Sequence, residues 1–140
     1  MKTDLIITEA RSWLGTPYHH QGRIKGVGVD CGMLLCEVYH AAGLIPFVDP
    51  RPYPPDWYMH QMDNKYLDWV KQYAEPVATP KQGDIALFHF GKSISHAAIV
   101  VAWPTIIHAY HGQGCILGDA TKGRLCSNLA GFWRIRENQG

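Results

Sequence analysis

The stretch Ser95-His96-Ala97-Ala98-Ile99-Val100-Val101-Ala102-Trp103-Pro104-Thr105-Ile106-Ile107-His108-Ala109-Tyr110 reads as two β-strands meeting near a Trp-Pro-Thr turn. Small and β-branched residues fill both halves, which suits a pleated, buried surface. One histidine opens the first strand and a second lies near the end of the next, at a separation of 108 − 96 = 12. Facing residues in an antiparallel hairpin have numbers that sum to a constant, so an even separation lets the two imidazoles share a face. A turn centred on Ala102 gives the sum 204 and opposes His96 to His108 and Ala98 to Ile106. A tight turn on Pro104 and Thr105 gives 209 and puts the histidines on opposite faces. Both registers are open at this level.

Outward from the hairpin, Ile85 to His89, Cys115 to Asp119 and Phe132 to Ile135 are further short apolar segments, joined to His96–Trp103 and Ile106–Tyr110 by Gly-, Pro- and Asn-bearing connections. The spacing predicts an antiparallel meander. Before residue 80 the pattern is helical. Thr3 is placed to cap a first helix with Ile6, Ala10, Trp13 and Leu14 on one face, ended by Gly15 and Pro17. Asp30 is an N-cap for a second helix bearing Leu34, Leu35, Val38, Tyr39 and Ala42, with Gly43 as its stop. Asp56 begins a third helical pattern through Met59, Met62, Tyr66, Trp69, Val70 and Tyr73, which Pro76 is expected to end; this stripe reads as core. Between the second and third, residues 46–55 hold Pro46, Pro50, Pro52, Pro54 and Pro55, a stiff lid or packing loop. Helices first and strands second predict an α+β fold, N-terminal helices packed on a C-terminal antiparallel sheet.

The length of 140 residues fits a single domain over 1–140, and 46% hydrophobic residues supply its core. Charged residues make up 18% and the net charge is +1, so no broad field for nucleic acid or anionic membrane is present. His19, His20, Arg23 and Lys25 form the only basic cluster. The apolar run Leu5-Ile6-Ile7 is too short for a signal-peptide core, and no run approaches the ~20 residues that cross a bilayer. Synthesis in a cytoplasm and solubility are the expectation. Cys31, Cys36, Cys115 and Cys126 form no Cys-x-x-Cys pair, and the eight histidines show no metal-ligand spacing. Free thiols, no metal and no cofactor are expected.

Cys31 follows the cap Asp30, a place that suits either a small, buried, inert cysteine or a nucleophile. There the backbone N–H groups and the positive end of the helix dipole favour a thiolate. Gly32 leaves the same turn open to support an oxyanion beside the sulfur. His96 is the candidate base and His108 the group that orients it, whereas Cys36, Cys115 and Cys126 read as packing residues.

Five motifs then occur in order: Leu14-Gly15-Thr16-Pro17-Tyr18, Val29-Asp30-Cys31-Gly32, Gly83-Asp84-Ile85-Ala86-Leu87-Phe88, Ser95-His96-Ala97-Ala98-Ile99-Val100 and Ile107-His108-Ala109. The series resembles the NlpC-type family of bacterial cell-wall cysteine peptidases, with a papain-like fold, over about residues 5–136. The resemblance implies Cys31 as nucleophile, His96 as base, His108 as orienting residue and Tyr18 beside the sulfur. It also implies hydrolysis of peptidoglycan stem peptides, typically between D-glutamate and a diamino acid. Asp30, Gly32, Ser95 and Arg23 are the residues expected to meet substrate, with His20 and Lys25 as further carboxylate contacts; for Arg23, His20 and Lys25 the favoured reading is a solvated, charged surface. Family members commonly carry Ser then Gly after the nucleophile; this chain has Gly32 and Met33, so the exact bond cleaved is not carried over. The Pro-rich stretch Asp49–Pro54 and the small size are similar to members encoded with phage tail genes, which implies virion delivery and tail proteins as partners. A catalytically silent tail protein of the same fold, and a thiol acyltransferase, stand as alternatives.

Overall fold

The computed structural model describes residues 2–47, 70–90 and 93–136. Helix α1 spans Lys2–Ser12 and buries Ile6, Ile7 and Ala10. Thr3 therefore lies inside the helix rather than capping it, while Gly15, at φ 90°, turns the chain out after it. A two-stranded ribbon follows, β1 (Arg23–Ile24) against β2 (Gly28–Val29). Helix α2 (Cys31–Ala41) comes next, begun by Asp30 and followed by Gly43 at φ 77°.

Helix α2 buries Cys31, Met33, Leu34, Leu35, Cys36, Val38 and Tyr39, so it is apolar on nearly every side. That pattern belongs to a helix covered all round. It packs between α1 and the sheet, chiefly across the two strands that carry His96 and His108.

Among the described residues the sheet has six strands: β3 (Ala74–Val77), β4 (Ile85–Phe90), β5 (Ser93–Ala102), β6 (Thr105–Tyr110), β7 (Gly114–Asp119) and β8 (Leu129–Ile135). Their spatial order is β3-β8-β4-β5-β6-β7, every pair antiparallel. The meander is thus present from β4 to β7, but β8 returns to the far side of β4 and β3 pairs with it. Residues 70–73 are helical, and the chain then enters β3, so Pro76 lies within a strand instead of ending a helix. An edge strand tolerates proline because one side of it needs no ladder donor. The rest of the third helical pattern, from Asp56 through Trp69, and loop residues 48–55 lie outside the described residues.

Alternation along the strands gives the sheet two apolar faces. Ile85, Leu87, Ala97, Ile99, Ile107, Ala109 and Cys115 join the helices in the main core. Ala86, Phe88, Ala98, Val100 and Ile106 form a second core with Ala120 and Leu125, the latter from the four-residue helix α3 (Gly123–Cys126). Asp84, 2% exposed, anchors the end of β4: its carboxylate accepts from Lys81 N and takes two bonds of 2.8 Å from Arg134 on β8. A bidentate guanidinium satisfies a buried carboxylate in both geometry and charge. No helix among the described residues is long and apolar enough to cross a membrane.

Candidate active site

Three segments meet at the start of α2. The chain after α1 crosses back to β2, where Tyr18 bridges Val29 and backbone bonds join His19 N to Val29 O at 3.1 Å and Val29 N to Pro17 O at 3.0 Å. Its preceding residues dock on β7, with Cys115 N donating to Thr16 O at 2.8 Å and Gly15 N to Cys115 O at 2.9 Å. Two motifs distant in sequence, Leu14–Tyr18 and Val29–Gly32, are thereby laced together by main-chain bonds.

Asp30 fixes this junction. It is 2% exposed; Oδ1 accepts from Met33 N at 2.9 Å as the N-cap, and Oδ2 accepts from Gln21 N at 2.7 Å. The second bond holds Gln21 at φ 64°, a left-handed conformation that a non-glycine residue adopts only under local constraint. His20 Nδ1 lies 3.9 Å from the same oxygen. Cys31 follows as the first residue of the helix and is 7% exposed. Tyr18 stands beside it: burial first, and then the charges of Cys31 and Asp30, push the phenol well above its usual range. The Tyr18 hydroxyl therefore stays protonated and is able to donate a hydrogen bond.

The histidines come from β5 and β6. The pairs Ile99↔Ile107 and Val100↔Ile106 both sum to 206, and the ladder then shifts between Val100 and Ala102. Neither 204 nor 209 holds. Beside the turn Ala102 pairs with Thr105, an odd sum of 207, and the extra residue at the bulge brings it to the even 206, so the histidines share a face, one step off direct opposition. His96 Nε2 and His108 Nδ1 are 2.8 Å apart. His96 is 3% exposed and His108 2%. Burial lowers the pKa of His96 well below the ordinary imidazole value, with the neighbouring His108 adding to the effect. Burial lowers His108 to about 4. Both rings are neutral at neutral pH, since a second charge in so dry a site is costly.

Two further residues, Tyr110 and His111, link the parts. The Tyr110 ring packs 5.5 Å from His96 and 5.1 Å from His108, centroid to centroid. His111 meets the Tyr18 ring edge-on at 5.2 Å. The signal for Tyr110 was present: it lies two residues beyond His108, hence on the same strand face.

The residues expected to meet substrate fare differently. Asp30 is engaged on both oxygens by backbone donors. Ser95 is on β5, one residue before His96. Arg23 is not a solvated surface group; its guanidinium binds Glu37, with Nε 2.9 Å from Oε2, and lies 4.5 Å over the Phe47 ring. Lys25 pairs with Glu9 at 3.1 Å. Met33 gives its N–H to the cap. None of the four cysteines is in a disulfide; Cys36 and Cys115 are buried packing residues, but Cys126 is exposed, contrary to expectation. Burial pushes the Cys115 thiol up to about 12. No group of three His, Cys, Asp or Glu side chains that could hold a metal occurs among the described residues.

A cysteine at the start of a buried helix, packed across strands that carry a hydrogen-bonded histidine pair, defines a papain-like α+β fold. The chain belongs to the NlpC/P60 family, whose model matches residues 15–134. Among solved structures it is similar to an NLP/P60 family protein described as similar to a lipoprotein from Staphylococcus aureus, with 24% identity and a TM-score of 0.71, covering 98% of this chain and 42% of that one. The NlpC/p60 domain of the peptidoglycan hydrolase SagA matches at 21% identity and a TM-score of 0.62, over 96% of this chain and 97% of that domain. RipD from Mycobacterium tuberculosis, described as a non-catalytic NlpC/p60 domain protein adapted to peptidoglycan binding, matches at 15% identity and 0.59, covering 97% of both. The chain thus spans about two fifths of the Staphylococcus protein's length. No match is found among curated protein sequences.

Proposed function

We propose that the chain is a cysteine peptidase or amidase that hydrolyses stem-peptide bonds of peptidoglycan, of the D-glutamyl–diamino acid type. The buried 2.8 Å bond between His96 and His108 carries the reading, because a binding module has no need to hold two neutral imidazoles in line. In the reaction His96, neutral at working pH, takes the Cys31 proton, and the sulfur attacks the scissile carbonyl. The first amides of α2 and the Tyr18 hydroxyl stabilise the oxyanion. As the C–N bond breaks, His96 returns the proton to the leaving amine. It then activates the water that hydrolyses the thioester, releasing the acid and regenerating the thiol. His108 fixes which nitrogen of His96 faces the sulfur.

A second reading is peptidoglycan binding without cleavage, favoured by the fold's likeness to RipD. Incubating the protein with stem-peptide fragments and following products by mass spectrometry separates the two. Cleavage by the native chain and none by Cys31→Ala supports hydrolysis; retention of fragments without cleavage by either protein supports the binding module. Products joined to an added amine would instead reveal acyl transfer. The wider setting we propose is local wall opening by a phage tail, supported by the Pro-rich stretch at 46–55. Co-purification with tail particles is its test.

A further inference from the structure

We propose that Gly118, on the edge strand β7, is a positioning residue for the histidine pair: its missing side chain is the space in which the His108 imidazole sits. Strand β7 pairs with β6 so that Gly118 faces Ile106 and Ile116 faces His108. Gly118 is thus diagonal to His108 on the same face. A Cβ at this position would lie 2.7 Å from His108 Nε2 and 3.3 Å from Cδ2. A Cβ carbon, which cannot hydrogen-bond, essentially never comes within 3.0 Å of another heavy atom, so one of the two groups must move.

The backbone does not call for glycine here. Gly118 is absent from the residues with positive φ, and a glycine within a strand forfeits packing and costs entropy. Space is the remaining reason. The ring cannot readily yield, because two contacts and its burial define its place: Nδ1 is 2.8 Å from His96 Nε2, the Tyr110 ring packs against it, and the residue is 2% exposed. Moving the imidazole away from position 118 lengthens the bond to His96. Gly118 therefore acts through His108, and through it on the orientation of His96.

This inference rests on the hydrolytic reading only for its effect on rate, and the test separates the two. In Gly118→Ala, ring-nitrogen NMR of the histidines is expected to lose the signature of the His96–His108 bond in a folded chain. Hydrolysis is expected to fall about 100-fold, the cost of an ångström-scale misplacement. In a His108→Ala background the same change has nothing to strike, so it is expected to lower neither thermal stability nor residual rate further. Native-like ring signals in Gly118→Ala would overturn the proposal even if the protein proves to have no hydrolytic activity. Should Gly118→Ala fail to fold, recovery of folding in Gly118→Ala/His108→Ala supports the clash, and failure to recover overturns it.

Discussion

His96 Nε2 lies 2.8 Å from His108 Nδ1 although the two residues stand diagonally rather than directly opposite across β5 and β6. The diagonal fits an end-on bond between rings better than direct opposition does, since it leaves room for both imidazoles to lie over the sheet. A base held by a neutral partner gains orientation, not charge. Replacing the partner should therefore cost less than replacing the base. We expect His96→Ala to lower kcat by about 100- to 10,000-fold, and His108→Ala to lower it by a smaller factor with KM little changed. Equal losses, measured on a defined stem peptide, would contradict the assigned roles.

Asp30 joins the helix start to the loop beneath Tyr18. Asp30→Ala removes a cap worth ~1 kcal/mol and leaves a second backbone donor, Gln21 N, without its acceptor. Denaturant unfolding should show a loss of about 2–4 kcal/mol, larger than a cap alone explains. Asp30→Asn, which retains acceptor capacity on one atom, should fall between.

The four thiols differ in access. With Cys126 exposed and Cys115 buried, its thiol raised to about 12, a disulfide reagent should modify Cys126 first and leave Cys115 untouched until unfolding. In a Cys126→Ser protein a small alkylating agent is expected to act at Cys31 and abolish hydrolysis. Peptide mapping that finds Cys36 modified as fast as Cys31 would show that the helix start confers no special reactivity.

Acid should destabilise the fold in a defined interval. His96 and His108 have folded-state pKa values below the unfolded value of about 6.5, so on acidification the unfolded chain takes up protons first. Their contribution is whole above about pH 6.5 and declines as pH falls, to about 4 for His108 and further for His96. Each differential proton contributes a slope near 1.4 kcal/mol per pH unit. Calorimetric Tm values between pH 7 and 4 should drop, and His108→Asn should make that drop shallower. A slope unchanged in the variant would place the acid sensitivity elsewhere.

Local signals carried much of this in the sequence. Asp30 before an apolar run marks the start of α2 because capping is a matter of adjacent residues. Alternating apolar strands with short connections mark β4 to β7, because a meander needs only neighbours in sequence. The even separation of His96 and His108 was legible as a shared face.

What required the folded chain was everything that depends on distant partners. The hairpin sum of 206 arises from a bulge that suits packing on both sheet faces, which no turn propensity encodes. Pro76 reads as a helix stop until β8 returns beside β4 and makes an edge strand for it to occupy. Arg23 reads as a free cation until the fold sets Glu37 and Phe47 against it. Gly118 reads only as one residue of the strand Cys115 to Asp119 until the His108 ring is seen in the place of its side chain. Sequence fixes hydrogen-bonding capacity and periodicity, which are properties of a segment; close approach between segments is set only when the whole core is packed to density.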